Sequence, residues 1–526
     1  MLVADILRHS ALRTPGKSAL ISADHTFTYE ELDAAVDVVA SALVRRGVAH
    51  GDRVAVLARS RWEYVALYYG LARVGALLVP LNCWHRPVEH EYTIDDSEPA
   101  LMVVSGEFAE SVADFVAVRG IDVVHLPDGD EVAFHGWVGW AEFLADVPPL
   151  DISDLVIERD DPHMILYTSG TTGRPKGALL SHARTVDDAL AMALALRLRP
   201  SDVFANFFPP FHVAHWDHMK LFHLVGADVV LLPQFEPEAV LTAIERRRVT
   251  VMLAVPAMLH QIFRHPSFGG RDLSSIRLLY YGAYDPSGLM LEVADYFGAR
   301  EGRIEMFHTY GLTETGPFVA ICDSADVFDK FGSIGRAMPG VEIALLDDDG
   351  GVVPQGSPGE ICVKGPRMTG YWRNDEATEA ALAGGWLHTG DLAVADEDGF
   401  LRIVDRKKDT IRSGGQNVYS KEVEDRLLLH DLVDDCAVIG VPDAVYEEAV
   451  LALVVLEPGH EADDKMAARL QSFVRESMAG YNAPKRVVFL DALPKNTVGK
   501  TLKAELRQQY GSIFDHVAAS AKASAS

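Results

Sequence analysis

The segment Met164–His182, MILYTSGTTGRPKGALLSH, carries the residues best suited to chemistry. An apolar run ends at Tyr167; Thr168, Ser169, Gly170, Thr171 and Thr172 follow, then Lys176, and apolar text resumes at Ala178. Glycines let backbone N–H groups turn toward an anion, hydroxyls add donors and the lysine adds charge, a composition that suits a phosphate. A plain flexible turn has the same composition and is the alternative. The loop is not a Walker A loop, because the GxxxxGK[ST] spacing fails. Gly16-Lys17-Ser18 and Gly499-Lys500-Thr501 fail it too, since the upstream glycine each would need is Ala11 or Pro494.

The segment resembles, nearly residue for residue, the signature loop of the adenylate-forming superfamily: acyl- and aryl-CoA synthetases, adenylation domains of peptide synthetases, and firefly luciferase. Further stretches resemble that family over about Thr26 to Lys503. In HTYGLTETGP (His308–Pro317) the resemblance implies that Tyr310 stacks on adenine, Thr313 binds the α-phosphate and Glu314 helps hold Mg2+, with Thr309 and Gly311 in the same nucleotide set. A ring face suits a purine, and a hard dication takes carboxylate oxygens. In GWLHTGDLA (Gly385–Ala393), Asp391 stands where the family binds both ribose hydroxyls, and Arg406 would be a second ribose contact. Lys408 stands at the family's interdomain hinge. In LPKNTVGKTLK, Lys500 stands at the near-C-terminal lysine that contacts the carboxylate and α-phosphate during adenylation.

The resemblance implies two half-reactions. A substrate carboxylate attacks the α-phosphorus of Mg-ATP, giving acyl-AMP and pyrophosphate; a thiol then displaces AMP. The protein aligns reactants and neutralises charge. The expected catalytic set is Lys500, Thr168, Glu314 and His212. Gly414 and Gly415 would line the tunnel for coenzyme A, so the small domain would rotate about Lys408 between the two steps. Other acceptors, a carrier-protein phosphopantetheine or another nucleophile, stay open, as does a catalytically inactive nucleotide-binding scaffold.

For the acid, the resemblance points to PPFHVAHWDHMKLFH. His212 is the family's gating histidine, and Ala214, His215, Trp216, Asp217 and His218 stand at pocket-lining positions, with Gly316. Gly282, Ala283 and Tyr284 would form the opposite wall and touch adenine; Tyr284 and Asp285 depart from the family text there. Arg412 stands where some relatives have lysine. Several histidines and an aspartate beside a tryptophan suggest an aromatic or partly polar acid rather than a long fatty chain. A metal on the three histidines is a weaker alternative, since nothing else supplies a ligand set.

These residues need a scaffold, and 526 residues are enough for two to four structural units. From about 50 to 405, helix-period stretches alternate with short β-rich runs such as Val54–Leu57 and Val251–Val255, which argues an α/β fold with largely parallel sheets. After Glu342, Asp-Gly and Pro-Gly turns separate short strands, so a small antiparallel, barrel-like unit should close this region. From Lys407 a compact α+β pattern follows. The expected division is 1–406 for a large N-terminal adenylation domain, 407–510 for a small mobile lid and 511–526 for a flexible tail. The net charge of −28 lacks the basic footprint of a nucleic-acid binder. The four cysteines form no CxxC pair, and the N-terminus reads as an amphipathic helix. A cytoplasmic enzyme without a membrane span is expected, and a homodimer stays open.

Overall fold

Short runs of aliphatic and β-branched residues buried on both faces organise the chain, the signature of parallel strands covered by helices. The computed structural model describes residues 1–129, 133–134, 136–152, 155–168, 174–282, 288–443, 446–495 and 501–513. Leu77–Pro80, Leu101–Ser105 and Val251–Ala254 are buried throughout.

Two large sheets result. In the eight-stranded sheet, parallel strands including Arg53–Leu57, Leu77–Pro80 and Pro162–Thr168 lead to antiparallel Lys176–Ser181 and then to the edge strand Gly370–Tyr371. In the nine-stranded sheet, Val203–Asn206, Val251–Ala254, Leu278–Gly282 and Glu305–Leu312 run parallel, and Gly316–Cys322 folds back antiparallel. The helices Val3–Arg13, Tyr29–Arg45, Trp62–Val74, His182–Ala195 and Val213–Val225 pack on one another, and one apolar cluster joins them to both sheets. Glu342–Leu346, Gly359–Lys364, Leu387–Ala395 and Leu401–Arg406 form the antiparallel unit expected after Glu342.

The smaller C-terminal domain is a mixed sheet on the long hairpin Val433–Asp443/Glu447–Leu456, with Arg486–Phe489 parallel to its second strand. Its two apolar clusters, one on each face, begin at Ile411, whereas the main cluster ends at Leu401. The helix Lys503–Tyr510 was not expected. Among the described residues no helix is long and apolar enough to cross a membrane.

Helix Val213–Val225 is the central element, with every residue from Val213 to His223 buried. Trp216, expected on the acid pocket, instead stacks on Tyr68 at 4.6 Å and meets Tyr64 at 5.0 Å, while its Nε1–H donates to the Pro210 carbonyl at 2.6 Å. It is a core residue that bonds this helix to Trp62–Val74. Trp216→Ala should therefore cost about 3–5 kcal/mol, read as a lowered denaturant midpoint.

Candidate functional site

The site lies where strand ends of both sheets meet. Thr168 and Lys176 are direct partners across the antiparallel pair Pro162–Thr168/Lys176–Ser181, so both ends of the expected phosphate loop are pinned. Ser169, Gly170, Thr171 and Thr172 lie outside the described residues. From the other sheet comes the turn Leu312–Gly316. A Cβ on Gly311 would stand 2.2 Å from the Gly316 carbonyl oxygen, and Gly316 has φ +95°, so both need glycine. Thr315 accepts the Leu312 N–H at 2.8 Å and closes the turn.

A strap over residues 368–372 ties the sheets together here. The Met368 N–H donates to the Glu314 carbonyl at 2.7 Å, while the Thr369 and Trp372 N–H groups donate to Leu179 and Gly177 at 3.0 and 2.7 Å. The Tyr371 hydroxyl donates to Glu314 Oε1 at 3.0 Å, and Lys176 Nζ sits 5.2 Å over the Tyr371 ring. Thr168 Oγ1 is 3.5 Å from Glu314 Oε1. Burial and the facing carboxylate raise the Tyr371 pKa, so it stays a donor. Tyr371 and Met368 were missed in the sequence, where GYW reads as ordinary turn text.

A second group sits alongside. The Tyr310 hydroxyl donates to Asp391 Oδ2 at 2.6 Å, and Arg406 Nε pairs with Asp391 Oδ1 at 2.8 Å. Asp391 and Arg406 are cross-strand partners. Burial, and then Asp391, raise the Tyr310 pKa and keep its proton in place. Gly282 pairs with Thr309, whose hydroxyl donates to the Tyr281 carbonyl at 3.1 Å. Ala283, Tyr284 and Asp285 lie outside the described residues.

The histidines of the central helix do not gather on a metal. His212 caps the helix, with Nδ1 accepting the Ala214 N–H at 3.1 Å, and burial lowers its pKa. His215 and His218 bond the carbonyls of Phe208 and Ala214 at 2.7 and 2.6 Å, and burial brings both down to about 4. Asp217, expected to line the pocket, is instead held by Arg184 Nη1 at 3.3 Å and by the Lys220 ammonium. Arg184 and Lys220 were not singled out in the sequence. Among the described residues, Glu360, Cys362 and His388 are the one group near enough to share an ion. The Lys407 ammonium, 3.0 Å from Glu360, already supplies a cation there.

Lys408 lies exposed in the turn Lys407–Asp409, where partial desolvation lowers its pKa. Its neighbours are tied on both sides: Lys407 pairs with Asp348 at 2.8 Å, and Asp409 with Arg507 at 2.7 Å. Gly414 and Gly415 form an exposed turn with positive φ, and the Gly414 N–H donates to the Tyr446 carbonyl at 2.8 Å. The Arg412 charge faces Asp348. Lys500 lies outside the described residues; Lys495 and Thr501, which flank it, are bridged to each other.

Residues 7–372 match the model of the AMP-binding enzyme family, and residues 422–500 match that of the AMP-binding enzyme C-terminal domain. The chain belongs to this family. It is 37% identical over 504 residues to a feruloyl-CoA synthase of Amycolatopsis sp, covering 95% of this chain and 97% of that one. It is 36% identical over 508 residues to an indoleacetate–CoA ligase of Aromatoleum aromaticum, covering 95% and 96%. The structure of ATP-bound MatB from Rhodopseudomonas palustris superposes with a TM-score of 0.84 at 30% identity, covering 98% and 100%. This protein is an AMP-forming acid–thiol ligase: it activates a carboxylic acid as the acyl-adenylate with ATP, then forms the coenzyme A thioester.

The Tyr310–Asp391–Arg406 group yields a direct expectation. Tyr310→Phe removes a buried hydrogen bond to a charged acceptor and should cost about 1.5–3 kcal/mol in chemical denaturation of the ligand-free enzyme.

Proposed function

We propose that the enzyme acts on an aromatic or partly polar acid, and that adenylation takes place where the Thr168/Lys176 hairpin meets the Leu312–Gly316 turn. The observation that carries this reading is the strap at 368–372, which brings Lys176 and Glu314 to one tyrosine ring. The relatives named for ferulic and indoleacetic acids support an aromatic substrate.

In this reading residues 168–172 and Lys176 hold the phosphates, and Thr313 takes the α-phosphate. Tyr310, with Thr309, Gly311 and the 282–284 segment, holds adenine. Asp391 and Arg406 hold the ribose; among the described residues each Asp391 oxygen has one side-chain partner, which leaves a further lone pair for a ribose hydroxyl. Neutral His212 stands at the entrance to the acid site. Glu314 suits Mg2+, because its carboxylate has hydroxyl neighbours and no ion pair among the described residues. Bound there, the ion would offset phosphate charge.

The reaction then needs positioning more than covalent help. The acid's carboxylate attacks the α-phosphorus in line with departing pyrophosphate, and fixed cations stabilise the charge that moves onto the phosphoryl oxygens. Lys500 supplies one such cation from the 407–510 domain. Rotation about Lys408 would then exchange it for Gly414 and Gly415, which face the incoming thiol. The Lys407 pairs to Glu360 and Asp348 span that joint and would hold one of the two orientations.

ATP–pyrophosphate exchange across an acid panel, with thioester measured after coenzyme A is added, tests the whole reading. Aromatic acids should give the highest kcat/KM; preference for a long aliphatic chain would sink the substrate assignment. Lys500→Ala should abolish exchange yet spare thioester formation from supplied acyl-adenylate, and equal loss of both would refute the division of labour. Glu314→Gln should raise the magnesium concentration needed for half-maximal exchange by about tenfold or more.

A further inference from the structure

Glu360, Cys362 and His388 take no part in the chemistry described above, yet strand geometry brings them together. Glu360 and Cys362 are two residues apart on Gly359–Lys364, so their side chains leave the same face of that strand. His388, on Leu387–Ala395, is the cross-strand partner of Cys362, and the ladder is irregular between Cys362 and Glu360. Irregularities of this kind re-aim side chains. Cys362 Sγ lies 3.3 Å from His388 Nδ1, and Glu360 Oε2 lies 3.1 Å from the same nitrogen. All three donor atoms are within 4.8 Å of one another.

One ring nitrogen cannot serve both neighbours. As N–H it donates to the carboxylate and is lost to the thiol as an acceptor; as a lone pair it accepts from the thiol and faces the carboxylate. A cation among the three satisfies all of them. Thiolate, imidazole and carboxylate are zinc-type donors, whereas a hard ion such as Mg2+ takes oxygens alone. Tetrahedral bonds of about 2.0–2.3 Å separate donors by about 3.3–3.7 Å, so only a small outward shift is needed. Glu360 Oε1 accepts the Gly390 N–H at 3.0 Å, which fixes the carboxylate and leaves Oε2 for an ion. Glu360 and Cys362 are buried, while the His388 side chain is 24% exposed and marks the way in.

We propose that Glu360, Cys362 and His388 bind a divalent transition-metal cation of the zinc type, and that this cation competes with Lys407 for Glu360. The Lys407 ammonium lies 3.0 Å from Glu360 Oε2 and 2.8 Å from Asp348. An ion on Oε2 repels that ammonium and leaves it to Asp348 alone. One of the two Lys407 pairs spanning the interdomain joint is thereby removed. The Cys362 thiol, pushed up to about 12 by burial and then by Glu360, keeps its proton in the metal-free enzyme. Binding forms the sulfur–metal bond and releases that proton to solvent, and water completes the coordination.

Cobalt(II) is the probe, because its bond to a thiolate absorbs in the near ultraviolet and that of zinc does not. Titration of the full-length, nucleotide-free enzyme with Co2+ should raise a thiolate-to-cobalt band, which Zn2+ should bleach. Cys362→Ser should abolish the band, and Cys83→Ser, at a partly buried cysteine elsewhere, should keep it. His388→Gln should weaken zinc binding by at least about tenfold. Lys407→Met leaves all three donors in place, so it tests the site even where a donor variant fails to fold; without the competing ammonium, zinc should bind about threefold tighter or more. No band with stoichiometric Co2+, a band retained in Cys362→Ser, or zinc binding unchanged or weakened in Lys407→Met would overturn the inference.

Discussion

The site depends on a short backbone strap. Residues 368–372 give one N–H to the turn of the nine-stranded sheet and two to the strand Lys176–Ser181 of the eight-stranded sheet. Backbone donors buried at such a junction must be satisfied, so the two sheets are held in register where their strand ends meet. Open parallel sheets bind ligands beyond their strand ends, and here two sheets present theirs to the same place. Tyr371 uses that register to bring Glu314 and Lys176 together, with the anion acceptor and the cation on different sheets.

Charge in low dielectric shapes the surroundings. The helix Val213–Val225 is buried all round yet contains an aspartate, a lysine and several histidines. Its histidines are neutral because burial disfavours their charged form, and its aspartate is acceptable because two cations share it. Asp188, buried on the neighbouring helix, has no ion-pair partner among the described residues.

The joint to the smaller domain follows the same rule. Lys407 reaches two carboxylates of the larger domain, while Asp409 and Asp405 face Arg507 and the hydroxyl of Ser420 in the smaller one. These partners sit within a few residues of one another along the chain. Partly exposed pairs of this kind, such as Lys407 with Asp348, hold an orientation without locking it.

The sequence alone determined the element types, because burial on both faces produces the apolar runs and turn chemistry marks their ends; Arg53–Leu57 and Val251–Ala254 fell within a residue of where the pattern put them. It also carried the resemblance to the family, through the text at 168–176 and 308–317. Only the tertiary structure decided which side of the central helix each residue serves. Trp216 and Asp217 are neighbours in sequence, yet one packs on Tyr68 and the other is taken by Arg184. Adjacent helix positions point about a hundred degrees apart, and the partners that claim them come from distant segments. Tyr371 was invisible for the same reason: its role exists only where two sheets meet.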